Sequence, residues 1–156
     1  MTFSLQKLGP AEMAEARQLF EMWRREDNVQ KPAPSDPALL QLLARSDFHV
    51  VTALSEGEVV GGLTAYQLPM YTEAATELFV YEVGVAETHR RQGVGRALIE
   101  WARELCRSRR LSAMYVPALA HDDRAVAFYL ATGLKREDVA WFIEEFEQTP
   151  EGAPGG

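Results

Sequence analysis

Hydrophobic and polar positions change period along this chain, and each change marks an element. Phe3 to Leu8 alternates as a short strand does. Gly9-Pro10 interrupts it, and proline suits the first position of a helix. In that helix Met13, Ala16, Leu19, Phe20 and Trp23 fall on one apolar stripe. Residues 26–37, EDNVQKPAPSDP, are polar and proline-rich, so they form a loop that either lines a substrate site or only connects. Ser35 is placed to cap a second helix from Asp36, with Pro37 near its start and Leu39, Leu40, Leu42 and Leu43 inside it. Phe48 to Leu54 and Val59 to Gln67 read as an antiparallel hairpin around Glu56-Gly57, ended by Pro69. Residues 72–75 connect to a strand over Glu77 to Val85. There, alternation puts Tyr81, Val83 and Val85 on one face and Glu82 and Gly84 on the other.

The period then lengthens. Val94, Ala97, Leu98, Trp101, Ala102 and Leu105 make the stripe of a long helix. Ala113 to Val116 is a short strand closed by Pro117, and residues 118–123 form a loop. Asp122 or Asp123 caps a helix in which Ala125, Phe128 and Tyr129 share a face, and Gly133 stops it. Val139 to Phe146 reads as a last, partly alternating strand, and the tail over 148–156 is expected to be disordered. No repeat or linker interrupts the pattern. The order predicts one domain over 1–147, with a mixed α/β sheet and helices against it.

Composition narrows the function. The chain has 156 residues, 47% hydrophobic and 25% charged, enough for a real core in a single domain. No run is long enough to span a membrane, and the first residues lack a signal-peptide pattern, so a cytoplasmic location is expected. A formal net charge of −7 argues against a nucleic-acid binder. The one cysteine, Cys106, cannot form an internal disulfide and reads as structural. No metal site is expected.

The chemistry gathers at Arg90-Arg91-Gln92-Gly93-Val94-Gly95-Arg96, a basic glycine turn between a strand and a helix. A helix N-terminus carries unpaired N–H groups and partial positive charge, which suits a phosphate. Without a Cβ, glycine admits a ligand to the backbone. The plainer reading is a tight turn and nothing more. A P-loop is ruled out because Arg96-Ala97 follows Gly95 where Lys-Ser/Thr is required. Glu82 is the acidic residue inside an otherwise apolar strand. Desolvated there, its pKa rises and it becomes a better base; alternatively it binds a substrate or forms a buried ion pair.

The sequence resembles the GNAT superfamily of N-acetyltransferases. Arg90, Gly93 and Gly95 fill the Arg/Gln-x-x-Gly-x-Gly/Ala motif that holds an acyl-CoA pyrophosphate. Ala125, Phe128, Tyr129 and Gly133 match a second family pattern, with Asp122 in place of its asparagine and Leu134 in place of its aromatic. The resemblance implies a central mixed, mostly antiparallel sheet with helices on both faces. It also implies acetyl-CoA as cofactor and CoA as product. Backbone N–H groups of Arg91 to Arg96, including Gln92 and Val94, would take the pyrophosphate. Val83 and Val85 would pair with the pantetheine arm as a missing strand, and an N–H near Val83, Gly84 or Val85 would meet the oxyanion. Glu82 would receive the amine proton, directly or through water, and Tyr129 would serve the departing thiolate.

A closer resemblance lies in AYQLPMY, ELFVYEVGVAETHRRQGVGRALI, MYV and DDRAVAFY, which are similar to the type I aminoglycoside 3-N-acetyltransferases of gentamicin resistance. It implies direct acetyl transfer in a ternary complex to the 3-amino group of an aminoglycoside, a cationic small molecule. Glu82, Asp122 and Asp123, joined by Glu26 or Asp27, would hold its ammonium groups. Related enzymes often use the last strand, with Glu144, Glu145 and Glu147, at a dimer interface, so a homodimer is implied. The alternatives are an acetyltransferase for another amine, such as a polyamine or a protein N-terminus, and a non-catalytic acyl-CoA-binding module.

Overall fold

The computed structural model describes residues 2–72 and 75–148. β1 (Ser4–Leu8) leads through one 3₁₀ turn, Pro10–Glu12, into α1 (Met13–Glu26). Glu12 turns back to accept from the Gly9 N–H at 2.7 Å, which satisfies a donor at the helix entry. α2 (Asp36–Leu43) starts where expected, with the Ser35 hydroxyl accepting from the Ala38 N–H. β2 (Phe48–Ser55), β3 (Glu58–Pro69) and β4 (Thr76–Val85) follow, then α3 (Val94–Arg109), β5 (Ala113–Tyr115) and α4 (Asp123–Ala131).

The strands form one sheet in the order β1-β2-β3-β4-β5. The first four pair antiparallel, and β5 joins β4 in parallel after the α3 crossover. Each face buries a separate core. On one face Val51, Ala53, Leu63, Ala65, Leu78 and Val80 meet Val94, Leu98, Ile99 and Ala102 of α3. On the other, Leu8, Phe48 and Val50 meet Ala16, Leu19 and Trp23 of α1 and Leu39 and Leu43 of α2. The sheet therefore has helices on both faces, and its β-branched and aliphatic strands are buried twice over.

Two expectations need correction. The segment from Val139 to Phe146 is not a strand. It has no regular structure, and Val139, Trp141, Phe142, Ile143 and Phe146 are exposed, the most open being Phe142 at 92%. Alternation prepares a segment for a sheet, but a strand also needs a neighbour to pair with, and here none is supplied. The alternation expected at the end of β4 also breaks. Thr64 stands opposite Glu82 and Ala65 opposite Val80, so Tyr81 is the extra residue of a β-bulge. Tyr81 consequently leaves the face that holds Val83 and Val85 and joins Phe79 and Tyr66 instead, with ring centroids 5.9 and 6.1 Å away. Of the expected disordered tail, residues 149–156 lie outside the described residues.

Candidate active site

The basic turn is built by two left-handed residues. Arg91 has φ 61° and Gly93 φ 86°, with Gln92 between them. Arginine rarely adopts that conformation. Such alternation gathers successive N–H groups into a concavity that suits an anion. Gly93 is also the N-cap of α3. It has no side chain to satisfy the helix start, and the first turn carries no acidic residue. The Ala97 N–H is the first to reach a helix carbonyl, Gly93 O at 3.0 Å, which leaves those of Val94, Gly95 and Arg96 without an intrahelical partner. A β-carbon built on Gly93 would meet nothing within 4 Å, so the space in front of the turn is open.

Gly95 works differently from the sequence expectation. A β-carbon there would lie 2.9 Å from the Phe128 ring, so the missing side chain admits α4 rather than a ligand. The side chains of Arg90, Gln92 and Arg96 are also occupied. Arg90 Nε donates to Val85 O at 3.0 Å, and its guanidinium reaches Glu26 at 3.5 Å. Gln92 donates to Thr88 O at 3.3 Å. Arg96 donates to Ala131 O at 3.0 Å, and Arg103 donates to Thr132 O. The last two cap the C-terminal end of α4, where cations are favoured. The turn thus offers its backbone to an anion, while Arg90 and Arg96 fix the neighbouring elements. The arginine pair on α4 follows from a long-range contact between helices, which no local pattern signals.

Beside this turn runs an open strand edge. β5 pairs only with Glu77, Leu78 and Phe79, so beyond Phe79 the outer edge of β4 has no strand partner among the described residues. Val83 and Val85 pack their side chains against the α3 core. Gly84 faces α1 so closely that a β-carbon would come within 2.7 Å of Trp23 Cδ1. The Trp23 indole N–H is buried there without a protein acceptor. Glu82 shares this α1 side. Water reaches its carboxyl, but the surrounding walls desolvate it and push its pKa up, and Asp27 at the end of α1 pushes it further. Glu26 is drawn to Arg90, so of the two loop carboxylates Asp27 is the one that bears on Glu82.

α4 brings the second motif against the α3 face. The Asp122 carboxylate accepts from the Ala125 N–H at 3.0 Å and so caps the helix, while Asp123 sits exposed in its first turn. Phe128 and Tyr129 both pack against the α3 core. Burial, aided by the Asp122 charge, pushes the Tyr129 hydroxyl up to about 12. This phenol keeps its proton across any ordinary assay range and is always available as a donor. Burial also raises the Cys106 thiol, which fits a structural role. His89 contacts its neighbour Thr88 at 2.8 Å, and His121 is exposed. The described residues contain no cluster of three or more potential metal ligands, and none of their helices is long and apolar enough to cross a membrane.

The parts match the demands of an acyl-CoA. There is an open cradle of N–H groups for a pyrophosphate, and a free strand edge leads away from it. Glu82 lies beyond, on the opposite side of the strand from Val83.

Residues 16–134 match the acetyltransferase (GNAT) family. No curated protein matches the sequence. Among solved structures, an aminoglycoside acetyltransferase from an uncultured soil metagenomic sample, in complex with sisomicin, is similar at 26% identity and a TM-score of 0.89. That match covers 93% of this chain and 97% of the other. A second aminoglycoside acetyltransferase, also from an uncultured soil metagenomic sample, is 30% identical with a TM-score of 0.85, covering 94% and 100%. A ribosomal-protein-alanine N-acetyltransferase from Brucella melitensis biovar Abortus 2308 shares the fold, with 19% identity, a TM-score of 0.73 and coverage of 93% and 100%.

Proposed function

This chain belongs to the acetyltransferase (GNAT) family, and from that premise we propose that it transfers acetyl from acetyl-CoA to the 3-amino group of a gentamicin-like aminoglycoside, directly and in a ternary complex. The observation that carries the substrate class is the likeness to two aminoglycoside acetyltransferases over more than nine-tenths of the chain. The 3-position rests on the motif resemblance of residues 61–66 and 77–99.

When bound, acetyl-CoA supplies an acetyl group activated as a thioester. N–H groups over Arg91, Gln92, Gly93, Val94, Gly95 and Arg96 would hold its pyrophosphate. The main chain of Val83 and Val85 would align the pantetheine arm, and an N–H in the Val83–Val85 stretch would stabilise negative charge developing on the thioester oxygen. Glu82 takes the proton of the attacking amine, and its raised pKa brings it toward the range of an effective base. Glu82 and Asp27 draw a cationic acceptor to that side of β4, with Asp123 as a further carboxylate and Asp122 contributing the part of its charge that capping leaves free. Tyr129 holds a hydroxyl proton for the leaving sulfur. Tyr129→Phe is expected to lower kcat roughly ten- to a hundredfold, the worth of one hydrogen bond to a developing charge. The acetyl-CoA KM should stay within twofold, and unchanged kcat removes Tyr129 from this role.

The deciding experiment incubates the protein with acetyl-CoA and gentamicin, kanamycin, sisomicin, spermidine or a peptide, and follows thiol release. Release with gentamicin, and an NMR spectrum of the product acetylated at the 3-amino group, support the proposal. Release with spermidine or peptide alone replaces it with acetylation of another amine, and acetyl-CoA binding without turnover replaces it with a binding module. A homodimer belongs to the same reading. The apolar, exposed 139–146 segment supports it, and sedimentation equilibrium at twice the chain mass, rather than once, decides it.

A further inference from the structure

In an even strand, neighbours leave opposite faces, so Tyr81 and Glu82 would point apart. The bulge changes this. Val80 and Val83 both pack in the α3-side core, and the two residues between them both turn to the α1 side. For Glu82 the evidence is the influence of Asp27 and the place of Gly84, two residues on, against Trp23. For Tyr81 it is the aromatic ladder. Phe48, buried in the α1–α2 core, lies 4.7 Å from Tyr66, and Tyr66 meets Tyr81 edge to face at 6.1 Å. Phe79 also packs near Tyr81, with ring centroids 5.9 Å apart. Tyr81 is therefore held by two rings while 59% of it remains exposed. A ring packed against two others yet more than half exposed, next in sequence and on the same face as a partly desolvated carboxylate, is built for contact with something outside the chain.

We propose that Tyr81, backed by Tyr66, is the platform on which the acceptor lies while its amine meets Glu82, and that the acceptor is a rigid ring carrying amines rather than a flexible linear amine. This rests on the acetyl-transfer reading above. A sugar-like ring offers an apolar C–H face to the aromatic face and its ammonium groups to the ring's negative quadrupole. A linear amine can use the carboxylates equally well, but must give up rotamer freedom to lie along the ring. Tyr81 sets which acceptor is held and leaves the proton transfer to Glu82.

The test compares wild type, Tyr81→Ala, Tyr81→Leu and Tyr81→Phe with sisomicin and spermidine as acceptors. In Tyr81→Ala and Tyr81→Leu the sisomicin KM is expected to rise about tenfold, the size of a desolvated cation–π contact. Their kcat and acetyl-CoA KM should stay within twofold, and Tyr81→Phe should restore the wild-type sisomicin KM. Leucine keeps the apolar bulk without the ring, so a loss confined to alanine refutes the platform. A wild-type sisomicin KM in both variants also refutes it and leaves the proposed function standing. A parallel rise in the acetyl-CoA KM refutes it by placing Tyr81 on the cofactor side. Turnover of spermidine with none of sisomicin by the wild type overturns the aminoglycoside reading and the ring acceptor together.

Discussion

Glu82→Gln is expected to lower kcat about a hundredfold or more, within the range that a positioned general base contributes. Glutamine keeps the shape of the side chain and one acceptor oxygen but cannot take a proton, so the substrate affinity should change less than turnover. The pH profile separates this from a structural effect. Desolvation first, and Asp27 second, hold the Glu82 carboxyl above the usual carboxylate range. A base works only when deprotonated, so wild-type kcat should be high above that raised pKa and fall as pH drops through it. The decline therefore begins at a higher pH than an ordinary glutamate would give. Glu82→Gln should show a low, flat profile over the same window, while Asp27→Asn should shift the wild-type limb to lower pH by removing the second cause. Turnover within threefold of wild type in Glu82→Gln would sink the assignment, and the base would have to be sought elsewhere.

Gly84→Ala is expected to be the most damaging small substitution in the site. The new β-carbon would press on the Trp23 indole, 2.7 Å from Cδ1, and that indole is itself buried between α1 and the sheet. Neither partner is a loose surface group, so one of them must shift. Overpacking of this kind costs about 1–3 kcal/mol, or roughly 2–4 °C in Tm per kcal/mol for a domain of this size. Because Gly84 is two residues from Glu82 on the same strand face, moving β4 off α1 should also lower kcat. Adding Trp23→Phe supplies a smaller ring and should recover part of both losses. A Tm within one degree of wild type, read by calorimetry, would show that the contact between Gly84 and Trp23 is softer than its geometry implies.

The elements were largely legible because most of them are fixed by local pattern and local punctuation. The Ala16, Leu19 and Trp23 stripe, the Ser35 cap, the Glu56-Gly57 turn and the Asp122 cap all appear where the sequence signals them. The misses share a cause, which is dependence on something distant in the chain. The bulge at Tyr81 is set by the register of β3 against β4, and it moved an aromatic ring to the other face. Val139 to Phe146 alternates well but finds no strand to pair with. In the site, the strand-to-helix turn and Glu82 could be picked out from the sequence. That Gly95 makes room for Phe128, that Arg96 and Arg103 hold the end of α4, and that Arg90 ties Val85 to Glu26 could not. Apart from the Arg90–Val85 bond, those contacts join residues 29 to 64 positions apart, beyond the reach of any local motif.

The short pairing of β5 has a colloidal side as well. Past Phe79, β4 exposes a row of main-chain donors and acceptors, and such a row will accept any extended segment, from a pantetheine arm to a stray strand of another molecule. This chain also carries an apolar, exposed segment of its own at 139–146. The two are complementary in kind, so unliganded protein at high concentration can associate edge to tail in an open-ended way, quite apart from any closed dimer. Mass measured on the free protein would mix the two. The sedimentation experiment therefore belongs in saturating acetyl-CoA, where the proposed cofactor site would fill the strand edge and leave only a closed assembly to weigh.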